Sequence, residues 1–161
     1  MKERKERLKE IISRNKSRRE IDIMKKVYRN KWGLEIEVED FLPLKESEEI
    51  ISNIYNKVIW GYNNNKIYDI NRLMINIKEY IYKMNNNERL IVFNLNEIPD
   101  FKRRYGLKLE YNKSVFLIES IVESCRLNLD VIIVDECLHS GLCVEVEEHS
   151  FLFTTWGIEK D

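Results

Sequence analysis

Residues 131–143 run Val-Ile-Ile-Val-Asp-Glu-Cys-Leu-His-Ser-Gly-Leu-Cys. Four apolar residues ending in Asp135 and Glu136 have the form of a strand that delivers carboxylates to a metal and a water, as in nucleotide hydrolysis. The same segment, with His149 beyond it, supplies Cys137, His139, Cys143 and His149. That is the ligand number of a tetrahedral zinc. Cys137 or Cys143 beside a histidine could also act as a thiol nucleophile with its base. Three chemistries are open here, against a fourth reading in which an ordinary buried strand ends in polar residues.

Each chemistry needs more than this stretch. A nucleotide hydrolase cradles phosphate on a glycine-rich loop, because backbone amides must approach the anion closely. The five glycines stand at 33, 61, 106, 141 and 157, and none opens such a loop. For zinc, the spacing matches no finger, and His149 lies roughly 20 Å from Cys143 along an extended strand at about 3.3 Å per residue. For a thiol nucleophile, no orienting third residue or oxyanion hole can be read from the sequence. Asp135 and Glu136 are consecutive, so on a strand they face opposite ways. The buried strand with a solvated end is therefore the preferred reading, with His139-Ser140-Gly141 as the turn that follows. No catalytic residue, metal or cofactor is assigned, and no enzymatic activity is expected.

The elements that must position these residues come next. A chain of 161 residues suits one domain with a real core. It has no apolar run long enough to cross a membrane and no leader pattern, and its three cysteines suggest reduced thiols. A cytoplasmic location with no membrane partner is expected. The net charge of −1 hides an asymmetry: residues 2–31 hold 13 Lys/Arg against 5 Asp/Glu, and residues 135–161 hold 7 Asp/Glu against one Lys. The runs Asn63–Asn65 and Asn85–Asn87 read as compositional drift in loops.

Leu8, Ile11 and Ile12 mark one side of a charged helix, and Ser17 with Glu20 is a capping-box pattern that opens a second. Gly33 provides a left-handed stop. Leu34, Ile36 and Val38 alternate with acids as a short strand would. Ser47 can cap a helix with the stripe Ile50, Ile51, Ile54, Tyr55, Val58 and Ile59, ending at Gly61. A further helix spans 66–83 with Ile67, Ile70, Met74, Ile77, Ile81 and Met84 inward. Then come a strand at Leu90–Phe93, a turn at Pro99-Asp100, extension over Lys108–Tyr111 and a helix from Ser114 to Cys125. Three strands follow at 131–134, 142–146 and 151–156. The order predicts an α+β fold, with N-terminal helices packed on a mostly antiparallel C-terminal β-sheet, in a single domain over 1–161. Residues 1–87 are mainly helical and 88–161 mixed.

From Leu90 to Gly157 the order of features resembles small immunity proteins of bacterial polymorphic-toxin and contact-dependent-inhibition systems, within them the YxiF-like group. A strand (Leu90–Phe93) and a helix (Ser114–Cys125) precede DVIIVDECLHSGLCVEVEEHSFLFTTWG, a strand, a polar Ser-Gly turn, an acidic strand and an aromatic strand ending in Trp-Gly. The pattern carries no catalytic motif, and residues 1–87 contribute little to it. The resemblance implies a non-enzymatic protein that binds one cognate toxin domain and blocks it.

An acidic surface suits that role, since toxins acting on nucleic acids present basic clefts. Asp135, Glu136, Glu145, Glu147 and Glu148 are the candidate toxin-binding residues, with a solvated strand face as the equal alternative for each. Tyr111 and Trp156 are possible aromatic anchors, though core is the better reading of Trp156. The alternative function is a nucleic-acid-binding or regulatory module built on the basic N-terminal helices. It is the weaker one, because Lys2/Glu6, Glu6/Lys9 and Glu10/Arg14 stand at helix-pairing distance and favour a self-paired face.

Overall fold

The computed structural model describes residues 2–58, 63–95, 104–124 and 130–158. The expected turn at Pro99-Asp100, the stop at Gly61 and the helix end at Cys125 lie outside the described residues. Contacts divide the chain into two compact units, Met1–Phe41 and Leu42–Asp161.

The first unit is one helix and a return. Helix α1 runs unbroken over Lys2–Trp32, so the capping pattern at Ser17 and Glu20 opens nothing. No proline or glycine interrupts the segment, and Glu20 is buried within a row that repeats every fourth residue, Glu20, Met24, Tyr28 and Trp32. Gly33 does end the helix, at φ +65°, with its amide donating to the Arg29 carbonyl at 2.9 Å and that of Leu34 to Tyr28 at 3.3 Å. The return is pinned by Arg29–Glu35 at 2.9 Å and Lys25–Glu37 at 3.4 Å. Leu34, Ile36 and Val38 form no strand: the segment is irregular, then a 3-10 turn at Val38–Asp40.

The second unit is an α+β sandwich. Among the described residues its sheet has six antiparallel strands, β1 (Asn63–Ile67), β2 (Arg89–Asn94), β3 (Leu107–Glu110), β4 (Val131–Asp135), β5 (Gly141–Val146) and β6 (Phe151–Trp156). Their order is β1-β6-β5-β4-β2-β3. Strand β1 takes the Asn63–Asn65 run, read from sequence as loop, and Lys66-Ile67, read as the start of a helix. It pairs with β6 from Asn63↔Thr155 to Ile67↔Phe151. Helix α3 therefore begins only at Ile70 and ends at Lys83, with the Asp69 carboxylate accepting from the Asn71 amide at 3.1 Å.

Helices cover both faces of this sheet. On one side, α2 (Leu44–Asn53) and the π-helical turn Ile54–Val58 that continues it place Ile50 and Ile54 in a cluster with Ile91, Phe93, Ile132, Val134, Cys143 and Trp156. Alternation sends Leu90, Val92, Val131, Ile133, Leu142 and Val144 to the other side, where all are buried. There lie α3 and α4 (Tyr111–Ser124), joined by the Tyr111 hydroxyl on the Ile81 carbonyl at 3.0 Å and by Lys78–Glu119 at 3.4 Å. Strand β4 is buried on both faces, which is why it is wholly apolar up to Asp135.

Ser47 is not a cap. Pro43 holds that position, and the buried Ser47 hydroxyl donates to the Pro43 carbonyl and accepts from the Gly106 amide, both at 3.0 Å. The Leu42 amide in turn donates to Gly106 at 2.8 Å, so α2 is stitched to the residue that leads into β3.

Gly141 faces Trp156 across β5 and β6. A methyl group there would stand 2.3 Å from the indole and 2.6 Å from the Ile133 carbonyl, and the carbonyl cannot rotate away. Gly141→Ala should lower stability by about 3 kcal/mol through overpacking. Urea unfolding monitored by tryptophan fluorescence measures this, and a midpoint within error of wild type would contradict the packing described.

Candidate functional site

The five acids singled out in the sequence do not form one site. Antiparallel pairing of β4 with β5, from Val131↔Val144 to Val134↔Gly141, puts Asp135 and Glu136 at one end of the hairpin. Glu145, Glu147 and Glu148 sit at the other, about 15 Å away at 3.3 Å per residue.

Asp135 is a structural residue and not a solvated strand end. It is buried, and its carboxylate is occupied by the turn it precedes. Oδ1 accepts from the amides of Cys137 (2.9 Å) and His139 (3.0 Å). Oδ2 accepts from the amide (2.7 Å) and hydroxyl (2.6 Å) of Ser140. An aspartate is suited to this because a short carboxylate reaches amides two to five residues ahead. The arrangement holds Leu138 at φ +60°. Glu136 remains at the surface, paired with Lys108 of β3 at 2.6 Å.

The residues weighed, and set aside, as zinc ligands are dispersed as well. Cys143 is buried in the cluster beneath α2, Cys137 is exposed in the turn, and His149 stands out in solvent, 3.7 Å from Glu148. Among the described residues, no three His, Cys, Asp or Glu side chains converge to hold an ion. Burial pushes the Cys143 thiol up to about 12, with Glu145 and Asp130 adding to the shift, so the sulfur keeps its proton at neutral pH. Trp156 is core, and Tyr111 spends its hydroxyl on the Ile81 carbonyl.

The other end of the hairpin gathers several carboxylates. Glu145 lies on the face that α2 covers, two residues beyond Cys143, and is half-buried. Its carboxyl is raised above the usual range, first by desolvation and then by repulsion from Asp130 and Glu147. Asp130 accepts from the Val146 amide at 2.8 Å, closing the mouth of the hairpin. The Tyr55 phenol, on the π-helical turn, is pushed up to about 12 by burial, then by Cys143, Glu145 and Asp130, against a smaller opposing effect of Arg104.

Glu147 is partly neutralised. It accepts from the Ser150 hydroxyl at 2.6 Å and pairs with Lys66 of β1 at 3.1 Å, contacts that lower its carboxyl. Glu145 has no ion pair among the described residues, and Glu148 is 89% exposed. The site that emerges is Asp130, Glu145, Glu147 and Glu148 beside Tyr55. Asp130 was missed from sequence, although extending the hairpin register by one pair would have found it. Tyr55 was read only as part of the apolar stripe, which turned it inward but gave it no place in a site.

Two stability experiments separate these roles. Removing four charge-assisted hydrogen bonds by Asp135→Ala should cost about 3 kcal/mol in chemical denaturation; a surface acid would cost almost nothing. Glu145 holds its proton more tightly folded than unfolded, so its ionisation opposes folding as pH rises through its range. Glu145→Gln should therefore stabilise the protein at pH 7 and lose that advantage below about pH 4. Glu147 has the opposite sign. Glu147→Gln should destabilise at neutral pH, with the deficit vanishing as pH falls through its lowered range. Parallel pH profiles for the two variants would contradict this assignment. No family model, curated protein or solved structure matches this chain.

Proposed function

We propose that this protein is an immunity protein, which binds a cognate toxin domain stoichiometrically and blocks it. The acidic end of the β4–β5 hairpin is its contact surface. The observation that carries the reading is Glu145, a half-buried carboxylate set against Asp130 and Glu147 with no ion pair among the described residues. Such a group opposes its own ionisation until a cation is brought to it. A lysine or arginine from a basic partner would relieve the repulsion, and Glu148 beside it would extend the attraction outward. Fields of one sign also accelerate encounter with a partner of the other.

The contact set is narrower than the sequence suggested. Asp135 is consumed by its own turn, and Glu136 is held by Lys108 at the far end of the hairpin. Glu147 serves as a support, steadied by Lys66 and Ser150. Glu145 and Glu148 are the residues offered to a partner.

The test uses the toxin encoded beside this chain's reading frame, in catalytically inactive form, titrated by calorimetry. Glu145→Lys with Glu148→Lys should weaken binding by about 2 kcal/mol, roughly thirtyfold, mainly through slower association. Added salt should weaken the wild-type complex more than the variant complex. Wild-type affinity should rise with pH as Glu145 ionises, and Glu145→Gln should flatten that rise. A folded double variant with wild-type affinity and wild-type salt dependence would refute this surface. Absence of any toxin that binds the chain would refute the function.

A further inference from the structure

The first half of α1 carries a face that the fold leaves unused. Residues 2–16 are exposed all around the helix, and Leu8, Ile11 and Ile12 are 57%, 52% and 58% exposed. At about 100° per residue these three share an arc of about 100°. They do not continue the buried row Glu20, Met24, Tyr28 and Trp32, whose mean direction lies on the opposite side of the helix. That opposite side is where Glu3, Glu6 and Glu10 project.

The basic residues are placed differently. Lys5, Lys9 and Lys16 line one edge of the aliphatic arc, and Arg7, Arg14 and Arg18 line the other. Arg4 and Arg19 stand within it, before and after the three aliphatic residues. The segment is thus sorted into an aliphatic ridge, two basic margins and an acidic back, over about 27 Å of helix at 1.5 Å per residue. Self-pairing of charge along the helix would not need this sorting. A flat, negatively charged surface with an apolar layer beneath it would.

We propose that residues 2–19 of α1 form a docking surface for anionic phospholipid. Leu8, Ile11 and Ile12 enter the boundary between headgroups and acyl chains, while the flanking lysines and arginines extend to the headgroup phosphates. No described helix is long and apolar enough to cross a membrane, and a helix lying in the interface requires no such run. A protein groove is a poorer occupant, because groove-bound helices present anchors over two or more turns and these three occupy one. Nucleic acid is poorer too, because it is gripped by hydrogen-bond donors. Here the centre of the basic face is branched aliphatic side chains that would press against phosphates.

The 161-residue chain is floated with vesicles of equal parts phosphatidylserine and phosphatidylcholine, and with vesicles of phosphatidylcholine alone. A DNA duplex serves as a third ligand. Wild type should float with the mixed vesicles only, and added salt should release it. Leu8→Gln/Ile11→Gln/Ile12→Gln should weaken that binding on the order of tenfold. Lys5→Gln/Lys9→Gln/Lys16→Gln should weaken it on the order of a hundredfold. Circular dichroism checks that each variant keeps its helix. Independently, Ile12→Trp should show blue-shifted emission, relative to wild type, when mixed vesicles are added. Failure of wild type to float, equal binding by the aliphatic variant, or unshifted emission from bound Ile12→Trp would overturn the proposal. Tighter binding to the duplex than to vesicles, undiminished in the aliphatic variant, would replace lipid with nucleic acid.

Discussion

The second unit depends on the charge of Asp135 being spent inside the protein. A carboxylate at the end of a fully buried strand costs free energy unless donors surround it. Four donors from the next five residues do so, and in meeting that need they dictate the path of the turn. The turn sets the register of β5 on β4. That register brings Gly141 against the Trp156 indole and Gly157, at φ +83°, within closest approach of the His139 carbonyl. A shift by one residue would exchange Cys143 and Val144 between faces and bury Glu145 or expose it entirely. The electrostatics at the far end of the hairpin are thus fixed by hydrogen bonds made at the near end.

Much of this was legible in the sequence, for identifiable reasons. The β2 and β4 runs are apolar on both faces, and β5 and β6 are bounded by polar turns, so the strand pattern was plain. Gly33 announced the end of α1. What misled was local chemistry that tertiary structure put to other use. Ser17 and Glu20 have capping-box spacing, yet the helix passes through them, because a cap pattern matters only where the chain has reason to stop. Ser47 seemed a cap and instead ties α2 to Gly106. The Asn-rich β1 has weak strand propensity and is held in place by β6.

The candidate site was half legible. Glu145, Glu147 and Glu148 were found because acids at strand ends stand out from an apolar background. Asp135 was misassigned because composition does not distinguish a carboxylate facing water from one facing amides. Separation of the five acids to opposite ends of one hairpin follows from antiparallel pairing, which a linear charge count ignores. In α1 the charge count was likewise silent: 13 basic residues against 5 acidic do not reveal that Glu3, Glu6 and Glu10 share one side.

Strand β1 has a consequence for behaviour under stress. It occupies the margin of the sheet and shields β6, whose Phe-Leu-Phe-Thr-Thr-Trp sequence joins aromatic and β-branched residues without a charge. Uncovered, such a segment is a template for intermolecular strand addition. Three asparagines and a lysine make β1 a polar border that resists propagation, tied to β6 by its backbone ladder and by the Thr154 hydroxyl donating to Asn64 at 2.8 Å. Heat or mild denaturant that peels β1 away would create a self-adhesive margin before the core has melted. The colloidal fate of this protein is accordingly governed by its least apolar strand.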